Sequence, residues 1–169
     1  MAFLNPTEIL KELKIKKDFV AADFGCGSGG WVLPLAKILE DGKVYAIDLL
    51  EEPLSALRSK MKTFNVLNIE PVQADVERNS KLLNNSCDLV LITNLLFQVD
   101  DMNKVLEEAK KVLKERGQVL IVDWQDDAVL GPENKISVSN VKEIAEKIGF
   151  NLEKEFKAGI YHWALILVK

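Results

Sequence analysis

Short, nearly unbroken apolar runs alternate along the chain with stretches whose apolar residues recur every three or four positions. The runs occupy residues 19–24, 44–47, 69–74, 88–93 and 119–124. Their continuity predicts strands buried on both faces, as in a parallel sheet. Between them Val32, Leu33, Leu35, Ala36 and Leu39 mark one helix, and Leu54, Leu57, Met61 and Phe64 another. Met102, Val105, Leu106, Ala109, Val112 and Leu113 form the clearest amphipathic stripe, with Gly117 as its stop. Val141, Ile144, Ala145 and Ile148 give a last helix, closed by Gly149. Two strand-like runs, 150–156 and 161–168, flank Lys157-Ala158-Gly159, a spacing that calls for an antiparallel hairpin. The expected architecture is α/β: a mostly parallel seven-stranded sheet with a C-terminal antiparallel hairpin and helices on both faces. It forms one domain over residues 1–169. Residues 1–17 read as an N-terminal lid helix, with Asn5 as cap, Pro6 in the first turn and Glu8 at the capping-box position. Pro71 removes a ladder donor and places the third strand at a sheet edge. Residues 77–86 are polar, with a single helical turn at Lys81-Leu82-Leu83.

The strands end in polar residues: Asp23, Asp48, Asp75, Asn94 and Asp123. In a sheet of this kind all face one edge, where ligands bind near the switch in strand order. After Asp23-Phe24 comes Gly25-Cys26-Gly27-Ser28-Gly29-Gly30, and a helix pattern begins just beyond. Such a turn lets bare peptide groups approach a ligand, and the following helix start offers free N–H donors. Gly25, Gly27 and Gly30 satisfy the dinucleotide pattern G-x-G-x-x-G, which alone is weak evidence. Asp23 weighs against a dinucleotide, because a carboxylate at the mouth of the turn opposes an anionic pyrophosphate. It suits S-adenosylmethionine, which carries an ammonium and a sulfonium and no phosphate. Asp48, about 20 residues on, can accept from both ribose hydroxyls. Asp75 with Val76 suits an adenine ring: an acceptor for the exocyclic amine beside aliphatic surface.

Composition narrows the partners. The net charge of −4 disfavours a nucleic-acid surface. Two cysteines and one histidine, scattered without ligand spacing, argue against a metal site and against a disulfide framework. No apolar run approaches a membrane span, and residues 1–6 lack the pattern of a signal peptide, so a cytoplasmic setting is the default.

On these motifs the chain resembles the class I S-adenosylmethionine-dependent methyltransferases. It is most similar to the small-molecule branch that includes the ubiquinone/menaquinone-biosynthesis (type 11) enzymes. The resemblance covers nearly the whole chain and implies a Rossmann-like fold. It implies that Asp23, Phe24, Gly25, Gly27 and Gly29 line the methionine end of the cofactor. It further implies Asp48 on the ribose, Leu49 beside the adenine, Asp75 and Val76 on the adenine side, and Asn94 near the transferring methyl group. Glu115-Arg116-Gly117 stands where the family usually has Pro-Gly-Gly, in a turn far from the cofactor. Phe97 and Gln98 stand where the family often has histidines, which weakens any basic catalytic group there. Asn94 lacks the following Pro-Pro-aromatic signature of many nucleic-acid amino methyltransferases.

The implied reaction is in-line displacement at a sulfonium methyl, for which the protein supplies alignment and a dry pocket. The sequence identifies no general base. Asp123 reads as a surface or loop-capping group rather than one facing an acceptor. Trp124 reads equally as substrate wall or packing, and His162 as a partly buried structural histidine. Trp31 reads as packing. Residues 1–17 and 125–139 are the available lids, and a homodimer or partner subunit would also close the site. A small-molecule methyltransferase is the favoured reading. The alternatives are an RNA or protein methyltransferase with a partner subunit, or a catalytically silent cofactor-binding protein of the same fold. An NAD-dependent oxidoreductase ranks below all three.

Overall fold

The computed structural model describes residues 3–169. Its strands are β1 (Val20–Phe24), β2 (Lys43–Asp48), β3 (Ile69–Gln73), β4 (Cys87–Thr93), β5 (Leu113–Trp124), β6 (Asn151–Ala158) and β7 (His162–Val168). They form one sheet in the order β3-β2-β1-β4-β5-β7-β6. The first five are parallel to their neighbours, and β7 runs antiparallel between β5 and β6. The helices are α1 (Pro6–Leu10), α2 (Val32–Ile38), α3 (Glu51–Phe64), α4 (Met102–Val112) and α5 (Val138–Ile148). From β1 the chain winds outward through β2 to β3, then returns to lay β4 on the other side of β1. That reversal opens a crevice at the carboxyl ends of β1 and β4.

The period of two along each strand divides the core into two layers. Ala21, Leu89, Leu91, Leu120 and Val122 face Leu10, Val32, Leu35, Leu54 and Leu57. Phe24, Val90, Ile92, Val119 and Ile121 face Val105, Leu106, Ala109 and Val112 of α4 and Val141 and Ala145 of α5. Each fully buried aliphatic side chain contributes about 1.5–3 kcal/mol. The cap expected of α1 is present: Thr7 N donates to Asn5 Oδ1 at 3.1 Å. Of the expected lid, Met1 and Ala2 lie outside the described residues, and helix spans only Pro6–Leu10. Trp31 is buried against α2 as packing. Pro71 sits on β3, which pairs only with β2 and is one rim of the sheet. β6 forms the opposite rim, where residues 151–155 are exposed. Among the described residues no helix is long and apolar enough to cross a membrane.

Three local expectations are corrected. Residues 81–83 make no helical turn. Lys81 has φ +65°, and Ser80 is instead pinned to α4, its N and Oγ donating to Glu108 Oε1 at 2.8 and 2.5 Å. Gly117 does not stop α4, which ends at Val112 because fully buried Leu113 turns extended and pairs with Cys87. Glycine at 117 answers crowding: a Cβ there would lie 2.9 Å from the Lys114 carbonyl oxygen. The left-handed residue of this turn is the exposed Arg116, at φ +63°. Finally, Asp123 and His162 are both fully buried, not at the surface or partly covered: Asp123 pairs with β7 and bonds the segment after β4, and His162 packs against the rings of Trp124 and Phe3.

Left-handed backbone strains any residue with a Cβ, so Arg116→Gly is expected to stabilise the fold. The gain should be about 0.5–1 kcal/mol after the greater freedom of glycine in the unfolded chain is subtracted. It would be read as a higher urea midpoint at unchanged slope.

Candidate functional site

The crevice begins where β1 runs out. Gly25 and Cys26 both donate their N–H to the Ile47 carbonyl, at 2.8 and 2.9 Å, which ties the glycine turn to β2. Gly25 and Gly27 have φ of +74° and +52°. A Cβ on Gly25 would strike Leu95 at 2.8 Å, whereas one on Gly27 would meet nothing within 4 Å. The space beside Gly27 belongs to a cavity of about 400 Å³. Asp48, the last residue of β2, joins both sides of that cavity. Its Oδ2 accepts from Gly27 N at 2.9 Å and its Oδ1 from Leu50 N at 3.0 Å. An ionised carboxylate has about four lone-pair sites, so acceptor capacity is left on both oxygens.

The cavity brings together Gly25, Gly27, Asp48, Leu49, Asp75 and Val76 of the expected set. Asp75 Oδ1 accepts from Glu77 N at 2.9 Å, and its Oδ2 pairs with Arg78 at 3.3 Å. Val76 is buried beside it, while Leu49 is exposed at the rim. Phe24, Asp23, Gly29 and Asn94 lie outside the lining. The Phe24 side chain is buried in the α4 layer, and a Cβ on Gly29 would collide with Leu57. Asn94 takes a left-handed conformation, φ +50°, and donates its N–H to the Val122 carbonyl at 2.8 Å. Its Oδ1 is buried with no hydrogen-bond partner among the described residues.

Asp23 is the electrostatic outlier. It is fully buried, and neither carboxylate oxygen has a partner among the described residues. Burial first, and the charge of Asp48 second, push its carboxyl well above the ordinary range. An isolated buried carboxylate is costly, and a cationic ligand group would offset that cost. Its neighbour Cys26 is no nucleophile, since burial and then the charges of Asp23 and Asp48 push the thiol far up.

Sequence reasoning missed Leu50, Pro53, Glu77, Leu95, Gln98 and Val99, which also line the cavity. All follow a polar strand end within a few residues, so the loops after Asp48, Asp75 and Asn94 carried the signal. Gln98 Nε2 donates to the Asn94 carbonyl at 2.7 Å, and Asp101 N donates to Glu77 Oε1 at 2.7 Å, which fixes the loop after β4. Asp123 does the same from β5. Its Oδ2 accepts from Leu96 N at 3.2 Å and caps the 3-10 turn Leu96–Gln98; its Oδ1 accepts from Trp124 N at 2.8 Å. The capping part of its expected role therefore holds, in a buried position. No cluster of metal-ligating side chains occurs among the described residues.

Residues 21–117, more than half of the chain, match the family described as Methyltransferase domain. The chain belongs to that methyltransferase-domain family, and its fold and motifs are those of the class I S-adenosylmethionine-dependent branch. It is 28% identical over 125 residues to a demethylmenaquinone methyltransferase of Bacillus mycoides, covering 73% of this chain and 52% of that protein. The chain thus spans about half the length of the curated relatives it matches. A SAM-dependent methyltransferase from Aquifex aeolicus superposes with a TM-score of 0.91 at 28% identity, over 98% of this chain and 90% of that one. The [4+2]-cyclase SpnF superposes at 0.84 with 11% identity, over 96% and 80%, a likeness of fold alone.

The Asp123 carboxyl has a directional consequence for stability. Burial raises it from 3.8 to about 6, against the lowering effect of its backbone hydrogen bonds. Between those values the folded chain holds a proton that the unfolded chain has released. The stability present below pH ~4 is therefore lost as pH rises through ~6. Asp123→Asn lacks this slope. Wild type is expected to lose on the order of 2–3 kcal/mol relative to the variant between pH 4 and 7, read from urea unfolding at each pH.

Proposed function

We propose that this chain transfers a methyl group from S-adenosylmethionine to a small-molecule acceptor, residues 1–169 working as one domain in the cytoplasm. The observation that carries the reading is the buried, partnerless carboxylate of Asp23 beside the glycine turn. A cationic amino-acid end would stabilise the ionised form of Asp23, whereas a pyrophosphate would oppose its ionisation and be repelled by Asp48. When bound, S-adenosylmethionine supplies a methyl group already activated on sulfonium. The chain's own residues hold and align. Asp48 keeps acceptor capacity for two ribose hydroxyls while it braces Gly27 and Leu50. Asp75 and Val76 offer the adenine an acceptor and an apolar face. Leu49 and Leu50, exposed at the rim, are placed to exclude water once the cavity is filled. Asn94, with its Oδ1 unengaged, sits on the side toward β5 where the acceptor would enter. The relatives' action on demethylmenaquinone supports a small-molecule acceptor.

Calorimetry with S-adenosylhomocysteine tests the reading, with NAD as the control. Tight binding of the first and none of the second is expected; the reverse would overturn it. Asp48→Ala should weaken S-adenosylhomocysteine binding by more than tenfold, about 1.4 kcal/mol or more, because the ribose bonds and the brace on Gly27 go together. Unchanged affinity would refute the ribose role.

A second measurement isolates Asp23. A cation beside it draws the carboxyl back toward its ordinary range, so binding releases a proton and affinity rises with pH until the carboxyl of the free protein is itself ionised. Calorimetry in two buffers of different ionisation heat would count the proton, and Asp23→Asn should abolish both the release and the slope.

A further inference from the structure

His162, the only histidine in the chain, is fully buried, yet neither Nδ1 nor Nε2 has a hydrogen-bond partner among the described residues. A buried polar group left unpaired costs about 1–3 kcal/mol. The cavity beside Gly27 does not account for it, because His162 is no part of that lining. It opens β7 at the sheet edge where β1, β4 and β5 end, and its register partner is Trp124, the last residue of β5. The two rings lie side by side, centroids 4.2 Å apart. Strand alternation puts both on the layer that holds Leu120, Val122, Ala164 and Ile166, which is also the layer toward which Asp23 points. Asn94 is bonded to this strand end through the Val122 carbonyl. With strands about 4.8 Å apart, β4 and β7 are separated by roughly 10 Å, the span of a small ring system.

A side chain already fills the place in front of these rings. Phe3 is half exposed, although large and apolar, and its ring contacts three others. Its centroid lies 5.8 Å from Trp124, 5.5 Å from Tyr161 and 5.8 Å from His162, all at steep interplanar angles. The walls around it are tied together by hydrogen bonds. Gln125 N donates to the Tyr161 carbonyl at 2.8 Å, and Gln125 Nε2 to the His162 carbonyl at 3.1 Å. On the loop side, a Cβ at Gly131 would lie 2.4 Å from the indole of Trp124. Phe3 precedes α1 and is held at this point by aromatic contacts that another flat ring could make equally well.

We infer that Trp124, Tyr161 and His162 form the acceptor subsite and that Phe3 is its removable plug. The methyl acceptor is a planar, uncharged ring bearing a hydroxyl or carbonyl. It takes over the aromatic contacts of Phe3, and its oxygen meets the unpaired imidazole of His162. Burial disfavours the imidazolium, so the ring offers one donor and one acceptor and selects for hydrogen bonding rather than charge. His162 is a positioning residue in this scheme: it orients the ring oxygen from β7 while the methyl donor lies on the β1 side of Asn94. The inference rests on the methyltransferase reading for the direction from which the donor comes, but the subsite itself does not require it.

The test uses 4-methylphenol and its isostere 1,4-dimethylbenzene, each titrated into the full chain with and without saturating S-adenosylhomocysteine. Ring ¹⁵N resonances of the single histidine report directly on His162. 4-Methylphenol is expected to shift them and to bind at least tenfold more tightly than 1,4-dimethylbenzene. His162→Phe should erase that preference while still binding 1,4-dimethylbenzene and S-adenosylhomocysteine as wild type does. Phe3→Ala should tighten 4-methylphenol binding several-fold. Equal affinity for the two ligands in wild type, or histidine resonances that do not move on 4-methylphenol binding, would overturn the inference. A chain that ignores S-adenosylhomocysteine but keeps the phenol preference and the histidine shift would retain the subsite and lose the methyl-donor reading.

Discussion

The Asp48 carboxylate is the joint on which the candidate site depends. One oxygen holds Gly27 of the turn after β1, and the other holds Leu50 at the start of α3. Charge-assisted bonds of this kind are roughly twice as strong as neutral ones. They fix the distance between two loops that no strand pairing controls. The cavity wall is therefore set before any ligand arrives. Asp23 and Asp48 also lie close enough for the charge of one to raise the carboxyl of the other. The turn after β1 and the start of α3 are held in this way before binding, so a ligand of the cavity would meet a wall already formed.

The ends of β5 and β7 follow a different physical logic. There the sheet edge presents rings in place of carboxylates, and the backbone ties run between Asn94, Val122, Tyr161 and Gln125. Asp123 belongs to this half as a structural acid, since its buried carboxylate caps the turn that shapes the loop beyond Asn94. The cavity beside Gly27 and the aromatic cluster of Trp124, Tyr161 and His162 thus lie on opposite sides of β4. The tie from Asn94 to Val122 couples their floors, so displacement of β5 would be felt at the end of β4.

Features set by local chemistry are the ones legible in the sequence. The strands are legible because parallel strands buried on both faces leave little room for polar residues, and β3 is placed at the rim by Pro71 alone. Gly25, Gly27, Asp48 and Asp75 are legible because strand ends in such a sheet point to one edge. Gly117 misleads because glycine commonly ends helices, whereas here it relieves a contact with a carbonyl oxygen made only in the folded chain. Lys81-Leu82-Leu83 misleads because its helical appearance yields to the long-range bonds between Ser80 and Glu108. The burial of Asp123 and His162 and the position of Phe3 depend on segments far apart in sequence meeting at one edge. No local pattern contains that information.

The two rims of the sheet have a consequence outside the site. On one side Pro71 lacks an N–H on β3. On the other, β6 exposes Glu153, Lys154 and Glu155 along its outer strand. A stray strand that tried to extend the sheet would find a missing donor at one end and a row of solvated charges at the other. The protein can thus carry a long, largely apolar sheet without offering a template for fibril growth.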